Sequence, residues 1–465
     1  MRPLSVNQLL TVIGGELEQG SKEILIRYGA YRLKQIKEAN TVLFLNRRLI
    51  NWDRIKDFSP IIVVTEWNYR LNDVPKNVVL IKVDNLQTAY WRFVYFYREQ
   101  FNLPVIAITG TSGKTTTKEI IKHILSEDKK VIATHLSTNS RTANLQYLLS
   151  MDDKTEVAVF ETAVGSPGDV LKAGEYFKPT IGIITNIGAH HLNYCKTIEG
   201  HIDAKAEMLQ IIKPSGTLIL NGDDANIRKI NLTAFLGKII KIGKQDSCQY
   251  KIASMRYGRG GMHFTLMQSG KQYEGYVPGF GEHQVYNAVA AIAAVHQTGV
   301  SIPSAMTRLT SFRKMNKQLQ MFKGIHDSLI LDDTWSITTT SLEAAVKVLE
   351  SVGKDKKKIA IIGTITDLGS WGYKIHEQAG EIISQHNVDM LITVGEHARI
   401  IGEHARKLGV RIPIYSFNNS ILAYQLLEKS IDERTIVLIK GDMYSETMRE
   451  LAYQLKKKKS PPSKD

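Results

Sequence analysis

Gly110, Thr111, Ser112, Gly113, Lys114, Thr115 and Thr116 follow directly on the apolar run Val105–Thr109. Glycines at this spacing let backbone N–H groups close on an anion. A lysine beside them supplies a point charge for terminal phosphates, and the next hydroxyl suits Mg²⁺. The chemistry expected is nucleotide triphosphate binding. The full Walker spacing would place glycine at 108, where the chain has Ile108, so only the compact form Gly-Thr-Ser-Gly-Lys-Thr is present. Two other segments carry groups suited to the same ion. Glu161 closes the run Val157–Phe160, and Thr185-Asn186-Ile187-Gly188-Ala189-His190-His191 closes Ile181–Ile184. If these runs are parallel strands of one sheet, their tips emerge at the edge that carries the phosphate loop. A carboxylate and an imidazole there can complete a Mg²⁺ shell begun by Thr115 and the phosphates.

The elements that must position these groups alternate along the chain. From about Leu103, short β-branched runs (Val105–Thr109, Val131–Thr134, Val157–Phe160, Ile181–Thr185, Thr217–Leu220) are separated by helical stretches, which predicts a parallel sheet with crossover helices. The nucleotide then lies at the carboxyl edge of that sheet. A second series (Leu329–Leu331, Ile359–Ile362, Met390–Val394, Ile436–Ile439) predicts a separate Rossmann-like α/β domain, with the polar, basic stretch Ser311–Lys317 as the link. Before Leu103 the runs Thr41–Leu45, Ile61–Val64 and Val78–Ile81 predict a smaller α/β domain. The fold class expected is therefore α/β in three domains. Residues 1–102 form the substrate-binding domain, 103–312 the central ATP-binding domain with a parallel sheet, and 313–457 the third domain, with a basic tail at 458–465.

At 465 residues and 43% hydrophobic content the chain can fill several cores. No apolar run reaches the roughly 18 residues of a membrane span, and Met1–Ser5 opens without a signal-peptide core, so a soluble cytoplasmic protein with no membrane partner is expected. Cys195 and Cys248 lie far apart without ligand spacing, which argues against a disulfide framework and a zinc site. The net charge of +14 suits anionic substrates such as nucleotides or nucleotide sugars, and suits nucleic acid equally.

Ordered motifs from Pro104 to the last helix separate these readings. Beyond the loop they include Gly165-Ser166-Pro167-Gly168-Asp169, Ala204-Lys205-Ala206-Glu207 and Leu220-Asn221-Gly222-Asp223-Asp224. Further on come Pro278-Gly279-Phe280-Gly281-Glu282-His283-Gln284-Val285-Tyr286-Asn287-Ala288, Asp332-Asp333 and Val437-Leu438-Ile439-Lys440-Gly441. Together they resemble the ATP-dependent Mur ligases of bacterial cell-wall synthesis, nearest to the branch that adds D-alanyl-D-alanine to UDP-N-acetylmuramoyl-tripeptide. The resemblance implies that Lys114 and Thr115 hold the terminal phosphates and a first Mg²⁺. Glu161 and His191 match metal-binding residues, and Lys205 matches a lysine that is carbamylated and helps hold a second Mg²⁺. Asn287 matches an adenine contact with His283 beside it, Asp333 matches a third-domain aspartate that closes over the nucleotide, and Asn139 and Asn186 fall in the substrate-facing stretches. The implied reaction activates a carboxylate as an acyl phosphate, which an amino acid or peptide amine then attacks. ATP and Mg²⁺ are the cofactors, the partners are small-molecule carboxylate and amine substrates rather than nucleic acid, and a monomer is expected.

The sequence departs from the family where substrates are recognised. An asparagine-rich stretch ending in Gly-x-Pro reads Ser137-Thr138-Asn139-Ser140-Arg141-Thr142-Ala143 here, keeping Asn139. The third-domain run Asp-Asp-Ser-Tyr-Asn-Ala-Asn-Pro reads Asp332-Asp333-Thr334-Trp335-Ser336-Ile337-Thr338-Thr339. Gln318 stands where a nucleotide-contacting arginine is expected, with Arg313 or Lys314 as substitutes. The Asp-Ser-Arg and Gly-x-x-x-Asp-Gly-His segments of the first domain are missing. Losing several hydrogen-bonding side chains predicts a changed substrate. The readings that remain are a relative with other substrates, the cell-wall ligase itself, an ATP-binding protein without catalysis, and a nucleic-acid-dependent ATPase.

Overall fold

The computed structural model describes residues 1–47, 49–189 and 192–456. Among them are three large sheets, each at the heart of one α/β domain. The first has five strands in the order 16–19, 78–83, 61–66, 41–44, 28–30, parallel except for the first strand. The central sheet has nine. Seven parallel strands run in the order 131–133, 157–161, 105–109, 181–184, 217–221, 238–243, 250–258, and an antiparallel meander, 261–268 and 271–278, extends it. The third has six strands, 320–323, 329–333, 435–440, 357–363, 390–394 and 414–417, with only the first antiparallel.

The inner strands 105–109, 157–161 and 181–184 are buried at every position because both faces are covered, as parallel sheets require. Ile106, Ile108, Val157 and Val159 face a layer formed by the helices Lys114–Leu125, Glu282–Gln297 and Ile302–Leu309. Ala107, Ile184, Leu218 and Leu220 face the other side, toward the helix Ile198–Ala206 and its neighbours. The same period of two sends Ala158 and Phe160 into a core shared with the first domain. There the helix Leu86–Glu99 packs its Phe93, Val94 and Tyr97 against both domains. The buried Arg98 guanidinium donates to the carbonyls of Phe177 and Phe101 at 2.8 and 2.7 Å, which fixes that helix on the central domain.

The third sheet is wound on both faces. Leu331, Ala360, Ile362 and Leu438 pack beneath the helices Thr339–Val352 and Gly372–Ser384, while Ile330, Ile361, Val437 and Ile439 pack under Ser420–Ser430 and Glu446–Leu455. No helix among the described residues is long and apolar enough to cross a membrane.

The strand runs read from sequence are present, most of them within a residue or two at each end. The structure adds the strands 238–278, whose alternation of exposed and buried positions reflects a sheet edge wetted on one side.

Phe160 stacks on Phe177 with ring centroids 4.0 Å apart, at the junction of the first two domains. Phe160→Ala is expected to cost about 3–5 kcal/mol by loss of buried area and cavity formation. Calorimetric unfolding checks this, and a loss under about 1 kcal/mol would contradict the shared core.

Candidate active site

The strand Val105–Thr109 delivers the loop to the carboxyl edge, and the helix Lys114–Leu125 leaves from it. Gly110 (φ 144°) and Gly113 (φ 83°) hold backbone conformations that side chains resist. Their missing side chains also make room: a Cβ would fall 1.9 Å from Thr185 Oγ1 at position 110 and 2.3 Å from Asn287 Oδ1 at 113. The neighbouring strand tip clamps the loop. Ser112 N–H donates to Asn186 Oδ1 at 2.9 Å, Asn186 Nδ2 donates to the Ser112 carbonyl at 2.9 Å, and Thr111 N–H donates to the Asn186 carbonyl at 2.9 Å. Thr185 Oγ1 adds a 2.6 Å bond to the Ser112 carbonyl. Asn186, expected to face substrate, thus uses its amide to fix the loop, because that amide matches the Ser112 peptide donor for acceptor.

Lys114 lies folded over the loop, its Nζ donating to the carbonyls of Gly110 and Thr111 at 3.0 and 3.2 Å. Burial pulls its pKa down and the Glu161 carboxylate opposes the shift. Thr115 Oγ1 donates to Glu161 Oε2 at 2.9 Å, and Asn139 Nδ2 donates to Glu161 Oε1 at 2.7 Å. Glu161 is 1% exposed, so both oxygens of a buried carboxylate are held. His191, like His190, lies outside the described residues.

The third domain closes over this edge. Thr116 Oγ1 donates to Gln318 Oε1 at 3.0 Å, and Ser112 Oγ lies 3.4 Å from Thr338 Oγ1. Asp333 pairs with Lys440 Nζ at 2.6 Å, accepts from Leu319 N–H at 3.2 Å, and has its carboxyl pKa pushed up by burial against the pull of Lys440. Lys440 also donates to the Ser336 carbonyl at 2.8 Å. Gln318 lines the cleft, whereas Arg313 and Lys314 do not; Lys314 sits over the Phe280 ring. A cation on the third-domain wall facing the phosphate loop is Lys440, which the sequence shows only as part of a motif.

Two adjoining cavities of about 330 and 260 Å³ form one cleft. The first is bounded by residues 111–116, Asn139, Glu161, Asp333 and Lys440, and the second by Tyr257, Tyr286, Glu343 and Lys347. Asn186, His283 and Asn287 line both. His283 Nδ1 and Gln284 Oε1 are buried without a partner, and burial holds the His283 pKa down at about 4, so its imidazole is neutral at neutral pH. A neutral imidazole and an orphan carbonyl on the wall of a cleft that begins at a phosphate loop fit a nucleotide.

The donor set also fits Mg²⁺. Among the described residues no group of three or more His, Cys, Asp and Glu can hold a metal alone. Mg²⁺ commonly takes one or two carboxylates together with substrate phosphates, which Glu161 beside Thr115 can offer.

Lys205 is 1% exposed and lines neither cavity. Desolvation first, then the nearby Lys114 charge, lowers its pKa well below that of an ordinary lysine. The motif around it has a second job: Glu207 caps the helix Asp169–Phe177, accepting from Gly168 N–H at 2.6 Å and Leu171 N–H at 3.2 Å. Both cysteines are free and buried.

The Mur ligase middle domain family matches residues 108–295, the stretch that carries the loop, Glu161, Lys205 and Asn287. The UDP-N-acetylmuramoyl-tripeptide–D-alanyl-D-alanine ligase of Bacillus subtilis is 27% identical over 375 residues, 81% of each chain. The chain thus carries a Mur ligase middle domain, and its likeness to this ligase extends beyond that domain. A crystal structure of MurF from Acinetobacter baumannii superposes with a TM-score of 0.84 at 23% identity, covering 97% of this chain and 99% of that one. MurF ligase from Thermotoga maritima in complex with ADP gives 0.77 at 20% identity over 92% and 96%. These two share the three-domain fold. With these relatives the protein is an ATP-dependent, amide-bond-forming ligase of the Mur type.

Gly110→Ala forces a side chain onto Thr185. The expected strain of about 1–3 kcal/mol weakens ADP binding by about 5- to 150-fold in titration calorimetry, with an unchanged far-UV spectrum. Wild-type affinity would show that the clamp is not needed.

Proposed function

We propose that this Mur ligase uses ATP and Mg²⁺ to join a carboxylate to an amino acid or peptide amine through an acyl phosphate, with Glu161 and Thr115 as the first metal donors. The observation that carries the reading is the convergence of phosphate loop, Glu161 and the Asp333–Lys440 pair on one cleft. Mg²⁺ bound there would offset charge on the transferring phosphoryl group. On this reading Lys114 leaves its two loop carbonyls for the β/γ-phosphates, because a trianionic acceptor outcompetes neutral carbonyls. The loop N–H groups and the start of the helix Lys114–Leu125 receive the remaining phosphate oxygens.

The substrate carboxylate attacks the γ-phosphorus; ADP leaves and the acyl phosphate forms. An amine then attacks the acyl carbon, phosphate departs, and the amine loses its proton. Water would destroy the acyl phosphate, and the third domain, touching the loop through Gln318 and Thr338, keeps it out. Lys205 fits the carbamylated lysine of the family. Its burial favours the neutral amine, the form that adds to carbon dioxide, and the resulting carbamate would add an anion close to Lys114.

The relatives named UDP-N-acetylmuramoyl-tripeptide–D-alanyl-D-alanine ligase make that pair of substrates the first to test. Changed substrates are favoured by the missing nucleotide-sugar segments of the first domain and by Trp335 and Ser336 on the cleft wall. One departure loses its weight: Thr338, in place of an asparagine, caps the helix Thr339–Val352 through Ser341 N–H, a role that either residue fills.

Phosphate release with the tripeptide nucleotide and D-alanyl-D-alanine decides the substrate question, and robust turnover would sink the altered-substrate reading. With whichever pair is active, Lys114→Ala and Lys205→Ala are each expected to lower kcat by about 10²–10³, and undiminished kcat in either removes the role assigned to it.

A further inference from the structure

Lys118 is fully buried, one turn beyond Thr115 on the phosphate-loop helix, and the mechanism above does not use it. A buried ammonium is expensive, and the buried positions that follow it on this helix, Ile120, Ile121, Ile124 and Leu125, are apolar. Its three protons meet three acceptors: the carbonyls of Thr134 and Leu136, each at 2.5 Å, and Glu119 Oε1 at 2.6 Å. The two carbonyls belong to the turn after the strand Val131–Ala133, where Leu136 takes a left-handed conformation (φ 46°).

That turn leads to Asn139, which donates to Glu161 Oε1 at 2.7 Å. Asn144 ties the stretch down by donating to the carbonyls of Asn139 and Glu161, and Thr134 Oγ1 accepts from Glu161 N–H at 3.0 Å. Thr115, on the same helix face three residues before Lys118, holds Oε2. A single helical turn therefore grips one carboxylate by two routes, directly through Thr115 and indirectly through Lys118, the turn and Asn139.

We propose that Lys118 is a positioning residue that sets the Glu161 carboxylate for the metal–nucleotide complex by holding the 134–139 turn. The inference rests on Glu161 and Thr115 being the metal donors. Without the ammonium, two carbonyls lose their partner, the turn relaxes, and Asn139 no longer fixes the orientation of Glu161. The loop N–H groups and the Asn186 clamp are untouched, so nucleotide binding without metal persists.

The test is ADP affinity by calorimetry for wild type, Lys118→Met, Asn139→Ala and the double variant, each in MgCl₂ and in EDTA, with hydrogen exchange of residues 134–139. The expected result in Mg²⁺ is a loss of about tenfold for each single variant and no further loss in the double. In EDTA all four agree within about twofold, and Lys118→Met loses protection across the turn. Wild-type affinity in Mg²⁺, a multiplicative double variant, or an equal loss in EDTA would each overturn the role. A wild type whose ADP binding gains nothing from Mg²⁺ would instead overturn the metal-donor reading. If Lys118→Met proves unfolded, Lys118→Arg replaces it: a planar guanidinium keeps the charge but cannot serve three convergent acceptors, so a smaller, about threefold, metal-specific loss is expected and none would refute the proposal.

Discussion

A carboxylate taken almost wholly out of water must have its oxygens satisfied, and at Glu161 that requirement fixes the architecture around it. Thr115 satisfies one oxygen from the start of a helix, and Asn139 satisfies the other from a turn on the far side of the strand. Neither donor can reach unless 105–109, 131–133 and 157–161 are adjacent parallel strands with their carboxyl ends level, which is the observed register. The sheet order thus follows from the same constraint that the site expresses. A metal arriving at Glu161 would meet an oxygen donor already oriented, with little reorganisation left to make.

The third domain depends on a second buried pair. Asp333 and Lys440 end adjacent parallel strands, and their union takes the aspartate to the cleft wall instead of to solvent. Because Lys440 also holds the Ser336 carbonyl, the segment 334–338 is pinned between the sheet and the phosphate loop. On the proposed reading, a bound triphosphate would bring several negative charges beside Asp333, and the neutralising lysine would let an acidic residue sit where repulsion would otherwise keep the domain open. Contacts such as Thr116–Gln318 and Trp371 Nε1 donating to the Lys196 carbonyl at 2.6 Å are short-range and polar, the kind that can be broken and remade as domains move.

Much of this was legible in the chain because it depends on local patterns. Apolar runs of five residues, each followed by a turn, announced the parallel sheets, and glycine spacing announced the loop. The antiparallel meander at 250–278 was harder to see, since its strands alternate buried and exposed residues without a helix between them. The loop clamp made by Asn186 and the turn held by Lys118 are not legible for a different reason. Both roles lie in which backbone groups the side chains meet across the fold, information that residue type does not carry. Lys440 was visible as part of a motif, but its pairing with Asp333, 107 positions earlier, exists only once strands 329–333 and 435–440 lie side by side.

The substitutions that suggest a new substrate sort themselves by what they touch. Thr334 turns its hydroxyl back to Asp332 at 2.7 Å, and Thr338 caps a helix, so both serve the fold. Trp335 and Ser336 line the cleft, where a bulky indole and a small hydroxyl present a different surface from tyrosine and asparagine. An indole donates one hydrogen bond and accepts none, and a serine hydroxyl cannot reproduce the paired donor and acceptor of a primary amide. A substrate group that relied on such an amide would be left unpaired in a desolvated cleft, which disfavours it more strongly than any lost apolar contact. On the proposed reading, selection for a different partner would act at these two positions, while the phosphate-handling edge, built from backbone N–H groups and a pre-oriented carboxylate, would be indifferent to what receives the phosphate.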